Sequence, residues 1–197
     1  MTLVLASAST SRARLLAAAG VSFDVVPARV DEEEVRRSLL HDGRDAAAIA
    51  DVLAELKAMR VSASRPADLV VGADQILAFD EEIIGKCETV DQAEALLRRL
   101  RGKSHRLIGG LVLAKNGAPI WRHRSEARLS MRSFSDDFLG SYVAREGEAL
   151  LETVGCYRLE AGGIQLFDRI DGDYFAILGL DLLPLLAALR EQGTIAA

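Results

Sequence analysis

Short apolar runs alternate with helical stripes along the chain, and polar turns separate them. Residues 3–6 (Leu-Val-Leu-Ala) predict a buried strand, followed by a Ser/Thr-rich turn over 7–11 and a helix over 12–19 that Gly20 ends as a C-cap. Residues 23–26 predict a second strand, closed by Pro27. Between 45 and 64, Ile49, Val52, Leu53, Leu56, Arg60 and Ala63 recur at helical spacing, with Lys57 at the edge of the stripe. Residues 69–73 predict a short buried strand ending at Asp74. Residues 76–79 and 82–84 flank a hairpin turn at Asp80-Glu81, and a helix should cover 90–100. Two further strands, 105–114 and 119–131, are joined by Asn116-Gly117, a strong hairpin signal. Ser135 is a candidate N-cap for a helix ending near Arg145, residues 161–170 predict a Gly-rich strand region, and the last helix spans 182–191. Strands and helices alternate without a clean βαβ repeat. The expected fold is therefore α/β, with a mixed, partly antiparallel twisted sheet flanked by helices. No linker divides the chain, so residues 1–197 are expected to form a single domain.

Composition narrows this picture. Half of the 197 residues are hydrophobic, too many for a disordered chain, and few are aromatic, so the core should be aliphatic. A formal charge of −5 argues against stable nucleic-acid binding, although a few cations can still be gathered at a nucleotide site. Cys87 and Cys156 lie far apart without C-x-x-C spacing, which fits neither a zinc site nor a disulfide framework. The first apolar run stops after four residues, and no run approaches the roughly 20 needed to span a bilayer. A cytoplasmic location without membrane association is the resulting expectation.

Three places can carry chemistry. The turn Ser7-Ala8-Ser9-Thr10-Ser11 enters a helix bearing Arg12, where free backbone N–H groups and hydroxyls favour an anion; simple N-capping by Ser9 or Ser11 is the alternative. Neither a P-loop nor a dinucleotide fingerprint occurs. At Val71-Gly72-Ala73-Asp74-Gln75, a carboxylate following a buried strand can take a proton from water or hold Mg²⁺, or merely cap a turn. Lys86 follows Ile83-Ile84-Gly85, and together with Lys57 it is a candidate phosphate contact or an ordinary solvated lysine. The acidic run 31–34 is a solvated face of which one member could complete a metal site. His41, His105 and His123 show no ligand spacing, and no nucleophile elbow is present.

Taken in order, these segments resemble the Maf family of nucleotide pyrophosphatases. The stretch from Leu3 to Arg12 resembles that family's L-I-L-A-S-x-S-P-R-R opening, Val30-Asp31-Glu32 its V-D-E segment, and Leu53-Ala54-Glu55-Leu56-Lys57-Ala58 its L-A-x-x-K-A helix. Gly72-Ala73-Asp74 matches G-A-D, Gly85-Lys86 matches G-K, and Leu100 to His105 is similar to L-S-G-R-x-H. The segment from Gly155-Cys156-Tyr157 to Gly179-Leu180 is similar to the C-terminal G-x-Y…I-x-G-D-Y…G-L-P block. There are departures. Thr10 and Ser11 replace the family's proline and first arginine, Cys87 follows Gly85-Lys86 where the family has proline, and Glu152-Thr153-Val154 lacks the lysine of D-K-A.

The resemblance implies metal-dependent hydrolysis of a nucleoside triphosphate between the α and β phosphates, with Mg²⁺ or Mn²⁺, in a two-lobed α/β fold around a central cleft, often as a homodimer. Asp74 would be the proton acceptor and a metal ligand, and Glu32 would assist the metal. Ser7, Ser9, Ser11, Arg12, Lys57 and Lys86 would contact the phosphates. Gln75 and Glu160 resemble the branch that prefers 7-methyl-GTP, and a carboxylate at Glu160 could accept from a guanine N1–H and N2–H₂ edge. The role implied is clearance of modified nucleotides from the precursor pool. A catalytically weak nucleotide- or partner-binding regulator of cell division is the alternative, favoured by the altered phosphate loop and opposed by the retained Asp74, Lys57, Lys86 and Arg12.

Overall fold

A computed structural model describes residues 2–196. Seven strands form one mixed, open sheet flanked by helices: β1 (Leu3–Leu5), β2 (Asp24–Val25), β3 (Leu69–Phe79), β4 (Glu82–Ile84), β5 (Ser104–Lys115), β6 (Ala118–Met131) and β7 (Phe167–Asp171). The order is β2-β1-β3-β5-β6-β7, with β4 paired to β3. β1 runs parallel to both β2 and β3, whereas β3–β4 and β6–β7 are antiparallel. The helices are α1 (Thr10–Ala18), α2 (Glu32–His41), α3 (Ala46–Ser64), α4 (Val90–Leu100), α5 (Asp136–Glu146), α6 (Tyr174–Ile177) and α7 (Leu182–Glu191). No described helix is long and apolar enough to cross a membrane.

The chain divides into two compact units. The first comprises the residues up to Gln75, Ile108–Ser125 and those from Asp173 on; the second comprises Ile76–Leu107 and Glu126–Gly172. In the first unit the two-residue period of a strand sorts the core into two layers. Leu3, Leu5, Leu69, Val71, Ala73, Leu111 and Leu113 pack with Leu16 of α1 and with Leu185 and Leu189 of α7. The residues between them in the chain pack elsewhere: Val4, Ala6 and Val70 with Val61 of α3, and Val112 and Ala114 with Ala54 and Ala58 of α3. β1, β3 and β5 are covered on both faces here, so they appear in the sequence as nearly unbroken apolar runs.

Several expected elements differ in extent. Asp74 does not end a strand: β3 continues unbroken to Phe79, because Ile76–Phe79 supplies further buried positions on both faces. The acidic run is the start of a helix, α2, capped by the Asp31 carboxylate accepting from the Glu34 N–H at 3.0 Å. Glu32, Glu33 and Glu34 fill its first turn, where the helix dipole favours negative charge. α1 starts at Thr10, so Ser11 lies inside it and Ser9 is its N-cap. Gly162–Leu166 is a 3₁₀ turn, and only Phe167–Asp171 is strand. The two hairpins form where expected, with Asp80, Asn116 and Gly117 in the left-handed region.

Candidate functional site

The close approach of α3 to the sheet begins with small residues. A Cβ on Gly72 would lie 2.6 Å from the Ala58 backbone N, and one on Gly110 would lie 2.6 Å from the Ala50 carbonyl oxygen. Glycine in the strands and alanine on the helix therefore let the α3 backbone rest on β3 and β5. Asp74 is two residues beyond Gly72 and so faces the same side, towards α3. Lys57 sits on α3 beside Ala58 and reaches the carboxylate. Its Nζ is 2.6 Å from Asp74 Oδ1 and 2.9 Å from Glu32 Oε1. Both members of the inner pair are nearly sealed from solvent, Lys57 at 6% and Asp74 at 5% exposure, whereas the Glu32 side chain is 46% exposed.

Lys57 thus clamps one oxygen of Asp74 and leaves the other free. Asp74 Oδ2 is buried and has no hydrogen-bond partner among the described residues, a costly state for a carboxylate oxygen unless a further group meets it. Burial pushes the Asp74 pKa above its ordinary value, opposed by the charges of Lys57 and Arg12. The Arg12 guanidinium is lowered by burial, and the nearby Asp74 and Glu32 charges oppose that shift. A buried carboxylate with a raised pKa, one oxygen bonded to Lys57 and the other unpartnered among the described residues, is equipped to accept a proton.

The Ser-rich turn is ordered around Ser7. Its Oγ accepts from the Ser9 backbone N–H at 3.2 Å and from Arg12 Nη1 at 3.2 Å. Ser9 Oγ accepts from the Arg12 N–H at 3.4 Å, the expected N-cap bond. Ser11 faces elsewhere and donates to the Leu178 carbonyl at 2.9 Å. The segment following β7 holds several of these groups at once, which sequence reasoning missed. Arg12 Nε donates to the Gly179 carbonyl at 2.9 Å, and Gln75 Nε2 donates to the carbonyls of Ala176 at 2.9 Å and Ile177 at 3.1 Å. Gly179 has φ +103°, and a Cβ there would sit 3.4 Å from Arg12 Nε. The signal available in the sequence was Asp173, which caps the short helix α6 by accepting from the Ala176 N–H at 2.9 Å.

Asp74, Glu32, Lys57, Arg12, Ser7, Ser9, Ser11 and Gln75 all belong to the first unit. Lys86 and Glu160 belong to the second. Lys86 is exposed in the irregular segment after β4, and Glu160 Oε1 lies 3.5 Å from Arg158 Nε. His105 is also in the second unit, buried with its Nε2 2.7 Å from the Tyr157 hydroxyl. Among the described residues no set of three or more His, Cys, Asp and Glu side chains could hold a metal ion.

A model of the family described as Maf-like protein matches residues 2–192. The chain belongs to that family. Among similar curated proteins, one of Hyphomonas neptunium named nucleoside triphosphate pyrophosphatase is 52% identical, covering 96% of each chain. One of Granulibacter bethesdensis with the same name is 49% identical over 98% of each chain. A Brucella abortus protein named 7-methyl-GTP pyrophosphatase is 44% identical over 96% of each chain.

Proposed function

We propose that the protein is a cytoplasmic nucleoside triphosphate pyrophosphatase that hydrolyses the α–β phosphoanhydride to a nucleoside monophosphate and pyrophosphate. The observation that carries this reading is the buried Asp74 carboxylate, with Oδ1 held by Lys57 and Oδ2 unpartnered. Relatives named for this activity at about half identity over nearly the whole chain support the substrate class.

In this scheme Asp74 Oδ2 takes the proton of a water as its oxygen bonds to phosphorus, and the α–β P–O bond breaks to release pyrophosphate. Lys57 holds the carboxylate ionised and fixes its orientation through Oδ1. Arg12, anchored by Ser7 and Gly179, offsets phosphate charge at the N-terminus of α1, where free backbone N–H groups assist. Asp74 and Glu32 would hold a divalent cation. Two carboxylates suit Mg²⁺ or Mn²⁺ arriving with a triphosphate, because Mg²⁺ keeps several waters and is commonly held by one or two carboxylates plus substrate oxygens. The free Asp74 Oδ2 fits that donor set. When bound, such a cation supplies charge neutralisation on the phosphates. Lys86 is proposed as a further phosphate contact.

Gln75 spends both amide hydrogens on α6 carbonyls, which leaves its Oε1 as the atom able to read a substrate donor. Glu160 is assigned to base preference, and 7-methyl-GTP is the modified substrate to test first, as three relatives are named for it. Clearance of modified nucleotides is the corresponding role. Glu160→Gln is expected to move preference away from guanine-type bases, and an unchanged ranking of substrates would remove Glu160 from specificity. A weak binder is the second reading, because Ser11 stands where the family motif has arginine and its hydroxyl is engaged by Leu178. Pyrophosphate release from a panel of standard and methylated nucleoside triphosphates, with Mg²⁺ or Mn²⁺, separates the two. Metal-dependent release supports the enzyme, and nucleotide binding without release supports the binder.

A further inference from the structure

The residues from Asp173 to Asp181 are held by side chains from three other elements of the first unit. Gln75 of β3 donates to the Ala176 and Ile177 carbonyls at 2.9 and 3.1 Å. From α1, Ser11 donates to the Leu178 carbonyl and Arg12 Nε to the Gly179 carbonyl, each at 2.9 Å. From β6, His123 Nε2 lies 2.9 Å from Asp181 Oδ2, across 58 positions of sequence. A helix as short as α6 leaves its last carbonyls without helical partners, and side chains of the candidate site take them up.

The His123–Asp181 bond stands apart from the Asp74 cluster, and both partners are committed to it. Asp181 occupies the N-cap position of α7, where an aspartate usually accepts from the helix's own N–H groups, yet its side chain makes no cap bond. Its Oδ2 accepts from His123 instead, which places the ring hydrogen on Nε2. The His123 ring is steadied by Trp121, stacked at 5.7 Å between centroids and 12° between planes. Trp121 in turn packs on the core that contains Leu180, Leu182 and Leu185. Alternation along β6 puts Arg122 and Arg124 on the opposite face, where they pair with Glu55 and Asp51 of α3.

We propose that His123 is a positioning residue of this site. Through Asp181 it fixes the far end of the 176–181 segment, and with it the carbonyls that aim Arg12 and Gln75, a role that rests on the functions proposed for those two side chains. The N–H groups of Leu178, Gly179 and Leu180 are bonded back to the carbonyls of Tyr174, Ala176 and Phe175, so the segment shifts as one piece. Gly179, at φ +103°, carries the Arg12 acceptor only two residues before Asp181. Release at Asp181 is therefore felt at the Arg12 guanidinium. A displacement on the order of 1 Å there can cost about 10²-fold in rate.

The test compares His123→Leu, Asp181→Ala and their double variant in the full chain, by pyrophosphate release and by hydrogen exchange of the 178–180 amides. Asp181→Ala costs α7 no cap bond, so it serves if His123→Leu folds poorly. Each single variant should lower kcat/KM by about 10- to 100-fold, mostly through a higher KM, because Asp74 and Lys57 are left in place. The double variant should be no worse than either single one, since both remove the same bond. A glutamine can bring an amide N–H close to the former Nε2, so His123→Gln should recover most of the loss. Exchange at 178–180 should quicken in His123→Leu while that of α3 stays slow. Faster exchange with a wild-type kcat/KM would make the pair merely structural and overturn the positioning role, as would additive losses in the double variant. A wild type that releases no pyrophosphate would count against the proposed function instead. Affinity for nucleoside triphosphate would then decide His123: weaker binding in His123→Leu upholds the role, and equal binding overturns it.

Discussion

At the residue scale, Lys57 decides the state of Asp74. A carboxylate sealed on a β-strand is pushed towards its neutral form by desolvation, and neutral Asp74 cannot take a proton. Lys57 is the strongest opposing influence, bonded at 2.6 Å and itself buried, with Arg12 next. Activity should therefore require the deprotonated carboxylate and fail on the acid side at a pH above the ordinary aspartate range of about 4. Lys57→Met removes the main opposing charge, so the acid limb of kcat/KM should move to higher pH. Breaking a buried pair in this way should also cost about 3–5 kcal/mol of stability. A variant that stays folded and keeps the wild-type acid limb would assign that limb to another group. Motif order in the sequence brought Asp74 and Lys57 forward. The clamp on a single oxygen was not legible there, because it depends on which strand face Asp74 occupies. The assumed strand end at Asp74 hid that register.

At the element scale, the site rests on how closely α3 lies on the sheet. Ala50, Ala54 and Ala58 recur every four residues and meet Gly110 and Gly72, so backbone approaches backbone without intervening side chains. Gly72→Ala would place a methyl group against Ala54 and Ala58, where the neighbours are helix backbone and cannot swing aside. The expected cost is about 1–3 kcal/mol, read as a lower denaturation midpoint with an unchanged slope, together with impaired turnover from a displaced Lys57. Wild-type stability and rate in Gly72→Ala would show that the helix has slack. Asn116-Gly117 made the hairpin legible, and periodicity made the helix α3 legible but not its buried face. Val52, Leu56, Arg60 and Ala63 of the expected stripe are exposed, whereas Lys57 lies with Ile49, Leu53 and Val61 on the buried side. The helix α2 was not legible, although Asp31 followed by three glutamates carries a capping signal. Net charge made that run look like a solvated face, and its Leu39-Leu40 pair lies at the far end. Residues 162–166 form a turn rather than the expected strand, because two glycines and two aliphatic residues support either local conformation.

At the scale of the whole molecule, a second buried titratable group couples stability to pH. Desolvation lowers the His105 pKa to about 4 from an ordinary value near 6.5, so the native state holds this ring neutral. The unfolded chain binds the proton more readily between those values, and stability accordingly rises with pH across that window. The contribution is fully present above about 6.5 and is lost as pH falls towards about 4, with a span of about 3 kcal/mol. Denaturant titrations at several pH values should show His105→Phe with a flatter pH dependence than wild type over this interval. Parallel curves would mean that His105 does not hold its proton equilibrium apart from that of the unfolded chain.

Proton transfer by Asp74 in anhydride hydrolysis is checked by measuring pyrophosphate release from nucleoside triphosphates with Mg²⁺ or Mn²⁺, comparing wild type with Asp74→Asn. The amide preserves shape and can still contact Lys57 through its oxygen, but it cannot accept the water proton. The variant should bind nucleotide and lose about 10²- to 10⁴-fold in kcat. A folded Asp74→Asn protein that releases pyrophosphate at the wild-type rate would remove Asp74 from the reaction.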